Sequence, residues 1–568
     1  MLCSAHRSLC VALLLLSLAR EAASQKVGTN VKEEHPPLLV YECTLEAGCE
    51  AKQRSVVIDA NWRWVHEAGE GKYANCYDGT AWSKTLCPDV ASCAANCAVE
   101  GISAQKGYKE TYGVSTSGAS LNLKLVMPGN VGSRLYLLED EETYQLFQLN
   151  NREFSFEVDA SATPCGVNGA LYFVQMDADG GKAKYATNEA GAKYGTGYCD
   201  AQCPHDAKFI NGEPNILDWA PIPQAPDSAR GRYGSCCVEM DVWEANSLAT
   251  AYTAHSCAVH SQTRCDGAAC GDDWKGQRYD GVCDKDGCDV QPYRLGNRSF
   301  YGPSAAAAID STRPFTVVTQ FVTADGTDGG ALSQIRRHYW QDGVRVDAAA
   351  VEVGGGRYDG ISAEYCAAEA AAFGGNGTFA ARGGMGSMGA ANDAGMVLVL
   401  SLWDDPLSHM LWLDSTQPAN STKPGATRGP CALNSGDPKV IERSSRWEVT
   451  YSNIKFGEIG STDKPFPPSP PSPPAPPPSP PPPLCAKGWT QCGGKTYRGP
   501  TCCEEGFHCV ANNPYFSECS PNGQPSAAAV GQSTPRAAPS LARGGEARAF
   551  EPVFATFTRH SKVAINVE

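Results

Sequence analysis

The sequence is short of positive charge. Its 47 Lys and Arg face 62 Asp and Glu, a formal net charge of -15, and no stretch gathers a basic face, which argues against nucleic acid or another polyanion as partner. Long apolar runs are missing after residue 24, so no later segment has the length and apolarity of a membrane-spanning helix. Long helical periods are few, which argues against the all-helical classes.

What the chain has in quantity is cysteine, proline and glycine, with 26, 39 and 58 residues. Residues 1–24 carry Arg7 before the apolar run Val11 to Leu18 and end in Ala22-Ala23-Ser24, the pattern of a cleavable secretory signal. An extracellular protein is therefore expected. Cys3 and Cys10 fall within the signal, six cysteines lie between Cys485 and Cys519, and eighteen lie in the large region between. Even numbers in a secreted chain favour disulfides over zinc, including at Cys199 and Cys203. Asn297, Asn376 and Asn420 each open an Asn-x-Ser/Thr glycosylation acceptor, usable where exposed.

With 568 residues, 42% of them hydrophobic, the chain can build a large core and more than one domain. Residues 25–462 show repeated short strand signals, such as Phe154-Ser155-Phe156-Glu157-Val158 and Ala170-Leu171-Tyr172-Phe173-Val174, separated by Gly, Asn and Asp turns. The expected class is an all-β sandwich with long loops. Residues 463–484 are dominated by Ser-Pro and Pro-Pro steps and read as an extended linker. Residues 485–520 form a six-cysteine miniature domain that needs its bridges to be stable. Residues 521–568, rich in Ala, Gly, Ser and Arg, read as a disordered tail.

The segment Cys236-Cys237-Val238-Glu239-Met240-Asp241-Val242-Trp243-Glu244 gathers three carboxylates on strand-forming residues. Cutting a glycosidic bond takes one carboxylate at the anomeric carbon and one carboxylic acid at the leaving oxygen. On a regular strand Glu239 and Asp241 share one face, and Val238, Met240 and Val242 the apolar one. Glu244 would then point into the core, where an unpaired carboxylate is costly. A β-bulge around Val242 and Trp243 is predicted, because it returns Glu244 to the Glu239 face. From spacing alone, a solvated acidic edge with Trp243 in the core remains the alternative.

With these residues in view, the large region resembles glycoside hydrolase family 7, the reducing-end cellobiohydrolases and related endoglucanases of cellulose breakdown. The likeness rests on His35-Pro36-Pro37-Leu38, Val57-Ile58-Asp59-Ala60-Asn61-Trp62-Arg63-Trp64, Met176-Asp177-Ala178-Asp179-Gly180-Gly181, Gly195-Thr196-Gly197-Tyr198-Cys199-Asp200, the acidic segment through Asn246, and Leu402-Trp403-Asp404-Asp405. The resemblance implies a β-jelly-roll sandwich whose loops roof a substrate tunnel. It makes Glu239 the nucleophile, Glu244 the acid/base and Asp241 the neighbour that tunes the nucleophile. His255 matches a histidine near the acid/base, either structural or engaged in proton handling. Glu239 and Asp241 would repel if both ionised, so one pKa is expected to rise and a proton to be shared. Neither metal nor organic cofactor is needed, since the carboxyl groups and a water suffice.

The resemblance also implies a row of tryptophan platforms, with Trp64 toward the entrance, Trp62 and Trp403 along the glycone side and Trp412 on the product side. Arg134, Asn168, Tyr172, Gln202 and Lys208 are implied along the cleft, and Arg294, Asp310 and Arg428 around the product sites. Residues 219–234 and 271–288 keep the loop length of tunnel-forming members, and Tyr279 matches a loop-tip tyrosine. Three positions depart from the pattern. Gly28 and Ala98 stand where many members have a disulfide that ties down the N-terminus, which puts the rigidity of that segment in doubt. Gln417 replaces a product-site tyrosine.

The miniature domain resembles a family 1 carbohydrate-binding module through Gln491-Cys492-Gly493-Gly494, Tyr497-Arg498-Gly499-Pro500 and Asn513-Pro514-Tyr515-Phe516-Ser517-Glu518-Cys519. The resemblance implies that Trp489, Asn513, Tyr515 and Phe516 face crystalline cellulose, and it implies the pairs Cys492–Cys509 and Cys503–Cys519, with Cys485–Cys502 as a third. Glu518 replaces a common glutamine. The expected protein is a monomeric, secreted, retaining cellobiohydrolase that releases cellobiose processively from a single glucan chain on crystalline cellulose, without nucleic acid or membrane as partner. An open-cleft endoglucanase of the same family and a non-catalytic wall glycoprotein are the alternatives.

Overall fold

The computed structural model describes residues 25–272, 277–348, 350–463, 485–522 and 558–559. The expected signal over 1–24, the expected linker apart from Asp463, and the tail from residue 523 apart from Thr558 and Arg559 lie outside the described residues. The chain forms two units, Met1–Pro465 with Phe554–Glu568, and Phe466–Val553.

In the first unit the short strands pair into one sheet of 17 strands that turns back on itself as a β-sandwich. The inner layer runs in hydrogen-bonded order Gly48–Ile58, Ser133–Leu138, Met396–Asp404, Val167–Val174, Glu239–Ala245, Thr250–His255 and Cys288–Val290. The outer layer runs Glu448–Glu458, Arg152–Asp159, Phe315–Thr323 and Leu332–Gln341. The strand Pro37–Thr44 joins the layers, pairing with Gly48–Ile58 on one side and Glu448–Glu458 on the other.

Alternation along the strands builds two cores. Leu171 and Phe173 join Phe154, Phe156, Val317 and Leu400 between the layers, whereas Ala170, Tyr172 and Val174 join Tyr136, Tyr198 and Val399 on the opposite face. The second face is buried because loop residues such as Met176, Tyr198 and Cys199 cover it. Each large apolar side chain removed from water contributes about 1.5–3 kcal/mol.

All eighteen cysteines among the described residues of this unit are paired. Cys199–Cys237 and Cys203–Cys236 fasten residues 199–203 to the start of the acidic strand. Cys288–Cys366 fastens the helix Ala363–Phe373 to the sheet. That helix begins where Ser362 Oγ accepts from the Tyr365 N–H at 3.2 Å, and it ends at Gly374 in the left-handed conformation.

A carboxylate holds the N-terminal segment in place of the missing disulfide. Glu100 accepts from the N–H groups of Asn30 and Val31, both at 3.2 Å, and from His66 Nε2 at 2.8 Å. A Cβ on residue 28 would lie 2.5 Å from the Glu100 carboxylate, so Gly28 is what lets the carboxylate in. At the other end Asp463 accepts from His338 Nε2 at 3.1 Å and Trp340 Nε1 at 2.9 Å, which carries the folded unit one residue past the expected boundary. Of the tail, Thr558–Arg559 pairs in parallel with Asn130–Val131.

The second unit is a three-stranded sheet of Gln491–Gly493, Phe516–Pro521 and Phe507–Asn513 around a small core of Ala486, Cys492 and Cys519. Its bridges are Cys485–Cys502, Cys492–Cys509 and Cys503–Cys519.

The acidic strand contains the expected bulge. Asp241 faces Thr253 and Glu244 faces Ala251, so Val242 and Trp243 together oppose Tyr252 alone. The other neighbour shows the same shift, with Phe173 opposite Met240 and Leu171 opposite Trp243. Met240 and Trp243 therefore both reach the core between the layers. The bulge carbonyl of Val242 accepts from a guanidinium nitrogen of the buried Arg337, which comes from the outer layer and also donates from Nε to Thr319 Oγ1 at 3.1 Å. Arg337→Leu strands that carbonyl, and a loss of about 1–3 kcal/mol is expected in denaturant unfolding. Unchanged stability would show that the bulge holds without the arginine.

Candidate active site

The bulge sets Glu239, Asp241 and Glu244 in a buried, hydrogen-bonded setting. Glu239 Oε2 accepts from the Ala201 N–H at 3.0 Å, a contact supplied by the loop that the two disulfides fasten. Glu244 Oε1 accepts from Asn168 Nδ2 at 3.0 Å, and Asn168 Oδ1 accepts from the Ala245 N–H at 3.0 Å. Asn168 is fully buried with both ends of its amide engaged. Asn168 is thus placed against Glu244 and outside the cavity wall.

His255 pairs with Asp241. Its Nε2 lies 3.1 Å from Asp241 Oδ2, and its Nδ1 lies 2.9 Å from the Asp284 carbonyl oxygen. Both ring nitrogens face acceptors, and a ring that donates at both positions is an imidazolium. Burial pulls its pKa down, but the hydrogen bond and charge of Asp241, with Glu239 and Asp284 adding, lift it to about 10. A cation thus stands beside the pair of carboxyl groups whose repulsion the sequence predicts.

Asp241, Glu244 and His255 line a cavity of about 690 Å³. Gln202, Tyr279, Arg294, Trp403, Trp412, Gln417 and Arg428 share its wall, so the structure brings these expected residues together. Trp403 and Trp412 stack with centroids 6.1 Å apart and planes 29° apart. Gln202 Nε2 donates to the Lys285 carbonyl at 2.8 Å, and its buried Oε1 has no hydrogen-bond partner among the described residues. Glu239 is fully buried and is not part of this wall.

Trp62, Trp64, Arg134, Tyr172 and Lys208 lie outside this cavity wall. Asp59 organises the first of them. Its Oδ1 accepts from the Asn61 N–H at 2.6 Å, capping the short turn that carries Trp62, while Oδ2 accepts from Arg134 Nε at 2.7 Å. The Arg134 guanidinium then lies 3.4 Å over the Tyr198 ring and 5.3 Å from the Trp62 ring. Tyr172 Oη meets Tyr198 Oη at 2.9 Å, and Tyr198 donates to Asp200 at 2.6 Å. Lys208 is buried, donating to the Arg63 carbonyl at 3.1 Å, and burial pulls its ammonium down to about 7 against Asp59 and Asp206.

Asp310 is placed elsewhere. It caps its own turn, accepting from Thr312 Oγ1 at 2.7 Å and Arg313 Nε at 3.1 Å, and it does not line the cavity. Beyond Asp241 and Glu244, the wall carries the acidic groups Asp284, Asp286, Asp289 and Glu369, with Arg278 beside them. Asp289 accepts from Arg294, and from Arg428 Nη1 at 3.4 Å, while Glu369 accepts from Arg294 Nη1 at 2.6 Å. Burial raises the Glu369 pKa, and the nearby Asp289 raises it further. Burial also pushes at Asp289, but Arg294 and Arg428 outweigh it and hold that carboxyl below its usual range. The sequence signal for Arg278 and Asp286 was the retained length of residues 271–288, which carry both.

In the second unit Trp489, Tyr515 and Phe516 are exposed by 57%, 65% and 36%, which leaves large apolar rings free for a flat ligand. Asn513 Oδ1 accepts from the Tyr515 N–H at 2.9 Å, so its amide shapes the turn that presents Tyr515.

The His255 pair fixes a pH dependence of stability. Its folded pKa of about 10 lies above the unfolded value of about 6.5, so its contribution is full below about pH 6.5 and is lost as pH rises through about 10. The Tm gap between the parent and His255→Gln is expected to be widest near about pH 6 and to close toward about pH 10. A gap that stays constant or widens with pH would show that the imidazole is neutral.

Residues 27–463 match glycosyl hydrolase family 7, and residues 488–516 match the fungal cellulose binding domain. A family 7 cellobiohydrolase from Daphnia pulex is 50% identical, with a TM-score of 0.75, over 77% of this chain and 100% of that one. A cellobiohydrolase from Melanocarpus albomyces, solved with cellotetraose, is 41% identical with a TM-score of 0.70 over 77% of this chain and 99% of that one. The endocellulase EGI of Humicola insolens is 38% identical with a TM-score of 0.64 over 77% of this chain and 100% of that one. The chain belongs to glycosyl hydrolase family 7 and carries a C-terminal cellulose-binding module of the fungal type.

Proposed function

We propose that the protein is a secreted, monomeric cellobiohydrolase that threads a single cellulose chain and releases cellobiose processively from its reducing end with retention of configuration. The carrying observation is the bracing of residues 277–288. Arg382 Nη2 donates to the Tyr279 carbonyl at 2.8 Å, and the Tyr279 hydroxyl hydrogen-bonds Asn376. On the other side Gln202 reaches the Lys285 carbonyl at 2.8 Å. Gln202, Tyr279, Lys285 and Asn376 all line the cavity, so this segment is tied at two places over the groove. Higher identity to cellobiohydrolases than to endocellulases supports the same reading.

In the mechanism, Glu239 attacks the anomeric carbon while Glu244 protonates the departing oxygen. A glycosyl-enzyme ester forms, and a water deprotonated by Glu244 then displaces Glu239. The Ala201 N–H holds the attacking carboxylate, and Asn168 fixes the rotamer of the acid. Asp241, charge-paired with His255, keeps negative potential beside the oxocarbenium-like transition state. Arg278, Asp286, Asp289, Arg294 and Arg428 supply hydroxyl-binding groups for the departing cellobiose.

Glu239→Gln is expected to lower cellobiose release from amorphous cellulose by at least about a thousandfold. Equal activity of variant and parent would remove the catalytic assignment. The parent should accumulate cellobiose while the viscosity of a soluble cellulose derivative falls slowly; early viscosity loss would mark an open-cleft endoglucanase. Trp489→Ala should weaken adsorption to crystalline cellulose roughly tenfold, read from a depletion isotherm, and unchanged adsorption would take the binding strip away from that ring.

A further inference from the structure

Trp64 has two aromatic neighbours. On one side of Trp64 the His66 ring stacks at 4.0 Å between centroids with planes 26° apart. Tyr73 lies nearly parallel to Trp64 as well, 22° between planes, with centroids 6.1 Å apart. Near-parallel rings at that separation are offset, so together they offer more apolar face than one ring alone. Tyr73 is 55% exposed, among the most exposed large apolar side chains of the first unit.

The loop around Tyr73 is held in place. Gly71 N–H donates to Asn30 Oδ1 at 3.0 Å, Asn30 Nδ2 donates to the Lys72 carbonyl at 3.0 Å, and Trp64 Nε1 donates to Asn75 Oδ1 at 2.6 Å. Asn30 belongs to the N-terminal segment that Glu100 secures, and Glu100 also holds His66 behind Trp64. The loop that carries Tyr73 is thus fastened on both flanks, a costly arrangement for an exposed tyrosine that only meets water.

We propose that Tyr73 is a further carbohydrate-binding residue, a platform outside Trp64 that takes the pyranose faces of a β-1,4-glucan chain before it reaches the cleft. A pyranose ring presents axial C–H groups on its face, and those pack on an exposed aromatic ring carried by a fastened loop. The offset pair widens the target for capture and adds a contact to be broken when the chain slides back. The inference rests on the hydrolase reading of the cleft.

The test compares full-length parent, Tyr73→Ala and Tyr73→Phe at low enzyme loading on amorphous cellulose, with a small aryl cellobioside as second substrate. Tyr73→Ala should lower the initial rate of cellobiose release roughly three- to tenfold, while Tyr73→Phe, which keeps the ring, stays within about twofold of the parent. A Tyr73→Ala enzyme as fast as the parent on amorphous cellulose overturns the proposal. So does an equal fractional loss on the aryl cellobioside, which is too short to reach the ring and would place the defect in the fold. A parent that cleaves neither substrate removes the hydrolase reading itself, which is a separate outcome.

Discussion

One extra residue in a strand governs this structure. Without the bulge at Val242 and Trp243, the acidic strand would have to bury Glu244 in the core or expel Trp243 from it, and either change costs several kcal/mol. With it, Met240 and Trp243 fill the space between the layers, while Glu244 turns to Asn168 and the cavity. Arg337 satisfies the carbonyl that the bulge frees. The placement of the three carboxyl groups is therefore a consequence of how the sandwich packs.

Around that strand, buried and half-buried charges face partners of opposite sign. His255 stands against Asp241, Arg134 against Asp59, and Arg294 and Arg428 against Asp289 and Glu369. Each pair is oriented by a disulfide-bonded or hydrogen-bonded loop, since a charge in a dry site is tolerable only with fixed partners. The N-terminal segment follows the same rule, with Glu100 in the place of a bridge.

Much of the site was legible because period and chemistry disagree in the sequence. An odd offset between Glu239 and Glu244 on an otherwise alternating strand pointed to a bulge, with a solvated acidic edge as the alternative, and the even cysteine counts favoured disulfides. What was not legible came from contacts between distant segments. The two bonds of Asn168 to Glu244 and Ala245 join strands that are far apart in sequence. Asp310 carries the right chemistry but spends it on Thr312 and Arg313, whereas Asp286 and Asp289 reach the cavity. Arg337 and Tyr73 left no signal, because one acts across the sandwich and the other sits in a loop of ordinary composition.

The account stands on Glu239 being the group that bonds to sugar. The direct measurement is to trap the intermediate with a 2-deoxy-2-fluoro cellobioside carrying a good leaving group, then map the labelled peptide by mass spectrometry. The account predicts one cellobiosyl adduct, on Glu239. An adduct on Asp241 or Glu244, or steady turnover of the probe with inversion and no adduct, would contradict it.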